Sequence, residues 1–306
     1  MKKIAIQFFI IVCLSAGLTT ASAAATVPEI IDSDGVTFKI NRVFSRIITL
    51  YAAHTQNLLN LGLDKEIVGV CRSDDFGRKR MRFSYRDDPE RFLALRPDLV
   101  LIRPMISRGY PQLVKQLRAT GVTVISLQPV TVAGMFDYWL TLGKLTGRRE
   151  QAREMVQSFT DQLAYIQNRV AEIPVTKRKH VYFEAIHGRM KTFAPASMAM
   201  FVLKQSGGIN VANDAVRLRN TNIAGYGKER ILAKADEIDI FLAQQGRMNP
   251  VKLADIINEP GFQVIKAVQD KQVYLVDEHL VSRPTMELLT GVRRISEILY
   301  PDFLSR

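Results

Sequence analysis

Only two cysteines, one tryptophan and four histidines occur in 306 residues. Two thiols allow at most one disulfide, so no disulfide framework holds this chain, and a chain of this length buries enough core to do without one. The histidines, at 54, 180, 187 and 279, show no His-x-x-x-His spacing, which argues against a bare-metal site built from them. No Gly-rich phosphate loop, Gly-x-Ser-x-Gly elbow or His-Glu-x-x-His sequence occurs, so the commonest signatures of enzymes are missing. The formal charge is +12, yet no run of five Lys or Arg exists and acids are interleaved with the bases. Nucleic acid is therefore not an expected partner, while anionic ligands remain open.

The sequence begins with a secretory signal. "MKK" is a positive n-region, Ile4 to Leu18 is apolar, and "ASAAA" at residues 21–25 offers small residues for cleavage. The expected cut follows Ala23, with Ala25 as the alternative. Cys13 lies inside the apolar run behind Val12, which is too large for a usual lipidation site, so no lipid anchor is expected. No later stretch of about 18 apolar residues follows, and the mature chain is expected to be a monomer free in the periplasm. Cys71 follows "EIVGV" and reads as a buried small hydrophobe.

From residue 46 short β-like runs alternate with helical ones. "RIITL", "EIVGV", "DLVLI" and "VTVISL" read as strands, with "HTQNLLNLG", "PERFLAL" and "YPQLVKQLRATG" as helices between them. No strand pattern occurs from Thr131 to Ile173. There Ala152, Met155, Val156, Phe159, Leu163, Ile166 and Val170 form one apolar face of a helix from Arg148 to Ala171, roughly 36 Å long. The alternation then resumes: strands "HVYFEAI", "IDIFLA" and "KQVYLVD", helices "ASMAMFVLKQSGG", with Ser197 as N-cap, "KERILAKA", "VKLADIIN" and a last one from Thr285 to Leu299. The expected architecture is α/β: two lobes with central, mostly parallel sheets, at 24–147 and 174–306, bridged by one long helix at 148–173.

Ligands of such sheets bind beyond the carboxyl ends of the strands. Those ends deliver Tyr51, His54, Arg72, Arg103, Arg108 and Tyr110 in the first lobe. The second lobe supplies Glu184, His187, Tyr226, Gln244, Gln245, Arg247, Asp277, Glu278, His279 and Arg283. His54 reads as a cleft-facing contact, with an N-cap or a core imidazole as the alternative, and Arg72 has Asp74 and Asp75 nearby as local partners. Arg103, directly after an apolar run, must emerge at the sheet edge. Arginine grips carboxylates with its planar fork and stacks on rings, so the set suits an anionic, partly aromatic ligand.

"RIITLYAAHTQNLLNLGLDKEIVGV", "LALRPDLVLI", "TFAPASMAMFVLKQSGGINVANDA" and "VYLVDEHLVSRP", in this order and spacing, resemble the substrate-binding proteins of ABC importers for iron–siderophore complexes, haem and cobalamin. Gln56 departs from the Glu frequent there, at a position read as structural. The resemblance implies a receptor without catalysis or cofactor that binds an iron chelate, with haem or a corrinoid as alternatives. From another class, an exported chelatase-like enzyme shares such two-lobed designs. A lone Trp139 speaks against a cleft lined with indoles, hence mildly against a corrinoid. The segment "PERFLALRPDLVLI" is echoed by "KERILAKADEIDIFL", and the resemblance implies that Glu90 and Glu229, at matching places, dock on the importer's membrane permease subunits.

The mature protein should begin at Ala24. Intact-mass analysis of protein recovered from the periplasm checks this, and an acylated cysteine at the mature N-terminus would refute it.

Overall fold

The computed structural model describes residues 29–76, 79–218 and 221–301. The signal segment at 1–23 and Cys13 lie outside the described residues. A first sheet has five parallel strands in the order Met81–Phe83, Ile67–Cys71, Ile47–Thr49, Leu99–Ile102, Thr123–Ser126. The chain starts at Ile47–Thr49, winds outward to one side, then returns to Leu99–Ile102 and winds to the other. The connections therefore leave the adjacent strands Ile47–Thr49 and Leu99–Ile102 in opposite directions at their carboxyl ends, which is a topological switch point and opens a crevice there.

The second sheet runs in the order Val216–Arg217, Ile223–Gly225, Lys191–Phe193, His180–Ile186, Ile240–Gln245, Val273–Asp277, with Ile209–Asn210 also beside His180–Ile186. Its last three strands are parallel, whereas the pairings through Lys191–Phe193 and Ile223–Gly225 are antiparallel. The expected parallel core is present in both sheets, and the second is mixed. Its antiparallel strands are only two or three residues long, too short to show an alternating pattern.

Between the sheets the helix Val132–Thr146 ends at Gly147, whose φ of 70° closes it in the left-handed conformation. The long helix Arg149–Ala171 follows, burying Ala152, Met155, Phe159, Ile166 and Val170 along one stripe. That stripe packs on Val132–Thr146, Met198–Gln205 and Glu287–Leu299. Where one helix was expected before the fifth strand there are two, Pro104–Gly109 and Pro111–Ala119. Pro111 has no N–H to continue the first and suits the opening turn of the second.

One apolar cluster runs through the whole structure, from Ile47, Leu58 and Leu99 through Trp139 and Phe159 to Phe183, Leu242 and Leu288. The lobes thus share a core at the back, and three side chains fasten it. Trp139 Nε1 and Asn57 Nδ2 both donate to the Pro284 carbonyl, at 3.1 and 2.9 Å. Gln56 Nε2 donates to Glu287 Oε1 at 3.4 Å. Among the described residues no helix is long and apolar enough to cross a membrane.

Gly291 lets the helix Glu287–Leu299 lie against the turn Glu278–Val281: a Cβ there would overlap the Leu280 carbonyl oxygen, which is backbone and cannot rotate away. Gly291→Ala should therefore destabilise the protein by about 1–3 kcal/mol, as overpacking does. A urea midpoint equal to that of the wild type would refute this packing.

Candidate functional site

Tyr51 directly follows the strand Ile47–Thr49 and its bend, and Arg103 directly follows Leu99–Ile102, so both emerge at the switch point. The Arg103 guanidinium lies over the Tyr51 ring, 4.3 Å from its centroid, a cation–π contact strengthened by burial. Burial pushes the Tyr51 phenol up from its ordinary pKa, and the charges of Arg103 and Arg283 oppose that rise. Arg283 comes from the second lobe and is only 8% exposed. Its Nη2 stands 3.5 Å from Glu278 Oε1, while its Nη1, like Nε of Arg103, is buried with no hydrogen-bond partner among the described residues. A buried unpaired donor costs free energy; two of them, on cationic groups facing one tyrosine from opposite lobes, make a place that an anion would complete. A second contact crosses between the lobes, His279 Nε2 to Asp75 Oδ2 at 3.6 Å.

Beside it, the ends of His180–Ile186 and Ile240–Gln245 open onto a cavity of 340 Å³ lined by His187, Arg189, Met248, Asn249 and Asp255 among others. His187 is fixed from three sides. Its N–H donates to Asn249 Oδ1 at 2.9 Å, its Nδ1 stands 3.1 Å from both Glu184 oxygens, and its Nε2 lies 3.6 Å from Glu259 Oε2. Lys228 closes the chain with its Nζ 2.5 Å from Glu259 Oε1. The hydrogen bond that His187 donates to the Glu184 carboxylate raises the His187 pKa, while burial raises that of Glu184. The cavity adjoins the cleft through Met248, whose N–H points to Glu278 Oε2 at 3.4 Å.

The residues read from the strand ends are distributed as follows. Tyr51, Arg103 and Arg283 come together, with His279 at the margin. His187 lines the cavity, with Glu184 fully buried behind it. Gln245 and Arg247 are exposed on the same edge, Gln245 donating to the Val251 carbonyl at 2.9 Å.

Others stand apart. Arg72 is exposed and pairs with Asp87 at 2.9 Å, not with the adjacent Asp74 or Asp75, because Asp87 lies across the turn and also holds Arg91. Arg108 is exposed at the end of Pro104–Gly109. Tyr110 packs on Tyr85, ring centroids 4.5 Å apart, and accepts from Arg86 Nε at 3.1 Å. Tyr226 is buried in the second lobe's own apolar cluster with Tyr182. Its hydroxyl donates to Asp214 at 3.2 Å and Arg230 covers its ring, so burial and the Asp214 carboxylate push its pKa up to about 12.

His54 has no exposed surface. Its Nε2 donates to the Ile102 carbonyl at 3.1 Å and its Nδ1 accepts from the Tyr138 hydroxyl at 2.6 Å. That assigns a neutral imidazole, which braces the two switch-point strands from beneath instead of facing a ligand.

Glu90 and Glu229 are both exposed, each second in a five-residue helix, Pro89–Leu93 and Lys228–Leu232. Each helix buries one residue, Phe92 or Ile231, and closes by a bond from the Ala94 or Ala233 N–H to the glutamate's own carbonyl, at 2.9 and 2.8 Å. The sequence echo is thus a structural one. Sequence reading named Glu278 at its strand end but passed over Gly246 beneath it and the Asn57–Trp139–Pro284 contact. Neither had a signal: the first depends on two segments meeting in space, and the acceptor of the second is a backbone carbonyl.

Burial lowers the His54 pKa to about 3. The unfolded chain takes up this proton near pH 6.5 and the folded chain does not, so this group makes stability fall as pH drops from 6.5 toward 3. The loss is roughly 3 kcal/mol at pH 4.5, two units below the unfolded value. His54→Gln should be less stable at pH 7 but should flatten that fall. Urea midpoints measured from pH 7.5 to 4.5 check it, and equal slopes for the two proteins would sink the assignment.

The pattern of the family described as periplasmic binding protein matches residues 47–280. An uncharacterised ABC transporter substrate-binding lipoprotein of Bacillus subtilis, YvrC, is 24% identical over 287 residues, covering 89% of this chain and 85% of its own length. A cobalamin-binding protein of Halobacterium salinarum is 26% identical over 280 residues, covering 88% and 73%. Among solved structures, a possible iron-binding (periplasmic solute-binding) protein from Staphylococcus epidermidis superposes with a TM-score of 0.72 at 24% identity, over 85% of this chain and 100% of its own. A periplasmic haem-binding protein from Roseiflexus does so with 0.70 at 19% identity, over 84% and 98%. With more than two thirds of its length matched in order, the chain belongs to the periplasmic binding protein family.

Proposed function

We propose that this protein is the solute-binding component of an ABC importer, which captures an anionic iron chelate such as a ferric siderophore and hands it to the membrane permease without chemistry of its own. The carrying observation is that Arg103 and Arg283, whose charges both act on Tyr51, each keep one buried guanidinium nitrogen without a hydrogen-bond partner among the described residues. A chelate whose organic arms bear negative charge supplies acceptors to both, while Tyr51 offers an aromatic edge. His279 stands at the cleft margin, His187 lines the adjoining cavity, and Arg247 is exposed on the neighbouring strand edge. The transporter role is supported by the Bacillus subtilis relative, and the ligand class by the Staphylococcus epidermidis structure described as a possible iron-binding protein. Haem or a corrinoid in the same cleft is the second reading, favoured by the haem-binding and cobalamin-binding relatives. Against a corrinoid, the sole indole, Trp139, is fully buried and offers no stacking face.

In this reading the lobes at 24–147 and 174–306 flank the connector at 148–173, and the protein works as a periplasmic monomer free of a lipid anchor. Glu90 and Glu229 dock on arginines of the permease. A glutamate in the first turn is favoured by the helix dipole and leaves its carboxylate free for a partner.

A charge-assisted hydrogen bond contributes about 1.5–3 kcal/mol. Arg103→Ala should therefore weaken binding by about tenfold to a hundredfold, read by calorimetry against ferric siderophores, haem and cobalamin. Unchanged affinity for whichever ligand binds removes Arg103 from the site, and tight binding of cobalamin alone overturns the iron-chelate reading. In the same assay Glu90→Lys with Glu229→Lys should leave affinity unchanged while uptake by cells is lost; intact uptake overturns the docking role.

A further inference from the structure

The partner of Arg283 does not suit it. A carboxylate that holds an arginine well sits about 2.7–2.9 Å away and engages two nitrogens; Glu278 reaches one nitrogen at 3.5 Å and leaves Nη1 with nothing. Its other oxygen lies 3.4 Å from the Met248 N–H, also a long contact. Yet the side chain is seated, 15% exposed, in a defined notch. The floor of that notch is Gly246, where a Cβ would overlap Cγ, Cδ and Oε2 of Glu278. Gly246 has no positive φ, so its backbone makes no demand for glycine. What the position supplies is space, and Glu278 fills it.

We infer that Glu278, seated over Gly246, is a built-in anion that an acidic group of the ligand must displace from Arg283, so that positions 246 and 278 set which ligands the cleft retains. The inference rests on the anionic-ligand reading above. Glu278 keeps a buried cation partly compensated while the cleft is empty. An incoming carboxylate that reaches both Nη1 and Nη2 forms the better, two-pronged contact, and Glu278, at the opening turn of Glu278–Val281, swings toward solvent. A neutral or cationic solute offers no such exchange and leaves the pair closed. The pair therefore discriminates by requiring that the newcomer be a stronger acceptor than a single, badly placed carboxylate.

The test uses free citrate and ferric citrate as probes, titrated by calorimetry at fixed ionic strength into the wild type, Glu278→Gln, Gly246→Ala and Arg283→Ala. Removing a competing ion pair of this kind should tighten both probes about threefold to fivefold. Gly246→Ala should give the same gain, because its methyl evicts the flexible carboxylate without altering net charge, which separates displacement from a change in overall field. Adding Arg283→Ala to either variant should abolish the gain. Should Gly246→Ala fail to fold by circular dichroism, Glu278→Asp, one methylene shorter and out of reach of Arg283, takes its place. If Arg283→Ala weakens the probes but neither Glu278→Gln nor the second variant tightens them, this inference falls and the anionic-ligand reading stands. A gain in Glu278→Gln alone also overturns it, because bulk charge then explains the effect. If neither probe binds any of the proteins, or Arg283→Ala changes nothing, both fall together.

Discussion

The cleft depends on one backbone carbonyl. Pro284 O accepts from Trp139 and from Asn57, and it belongs to the residue after Arg283. Asn57 sits in the helix that begins directly after Tyr51. The two donors on the first half of the chain thus fix the loop that brings Arg283 from the second half to face Tyr51 and Arg103. The contact is buried, so water does not compete for it, and loss of either donor would leave the carbonyl with one partner in an apolar surrounding. A rigid relation between the lobes follows. The shared apolar core around Trp139 and Phe159 would have to be broken for the cleft to gape, and cores are bistable or stiff, not continuously deformable. In the reading proposed above, admitting a ligand then falls to side chains and loops at the mouth, among them the His279–Asp75 contact and Glu278.

This explains which parts of the molecule the sequence made legible. Tyr51 and Arg103 were legible at the carboxyl edge of the first sheet because a parallel strand has one such edge and a residue right after it has nowhere else to emerge. The long helix was readable because its stripe, Ala152 through Val170, repeats over about five turns. Tyr226, read as lying after a strand or in a joining loop, was less legible: it follows Ile223–Gly225, a three-residue strand too short to show a pattern, and its ring went into the second lobe's core. His54 failed for a related reason: three residues after Tyr51 on a helix buried along most of its length, even its polar positions face protein. The pairing of Arg72 with Asp87 depended on a turn whose shape no local pattern encodes.

Charge gives the remaining order. The protein is strongly basic, so its far field attracts anions generally and discriminates little. Discrimination has to come from short range, where two guanidiniums with open donors are held in a partly dry crevice and electrostatic contacts gain strength. The acidic groups are placed to oppose this only locally. Glu278 tempers Arg283; Glu184 and Glu259 bracket His187 on both ring nitrogens and keep it from adding a free positive charge to the cavity. Glu90 and Glu229, by contrast, are exposed on short helices. In the reading proposed above, a basic body with a cationic cleft and two isolated acids on matching helices separates the problem of holding an anion from that of meeting a cationic surface. Neither charge set needs to compromise the other.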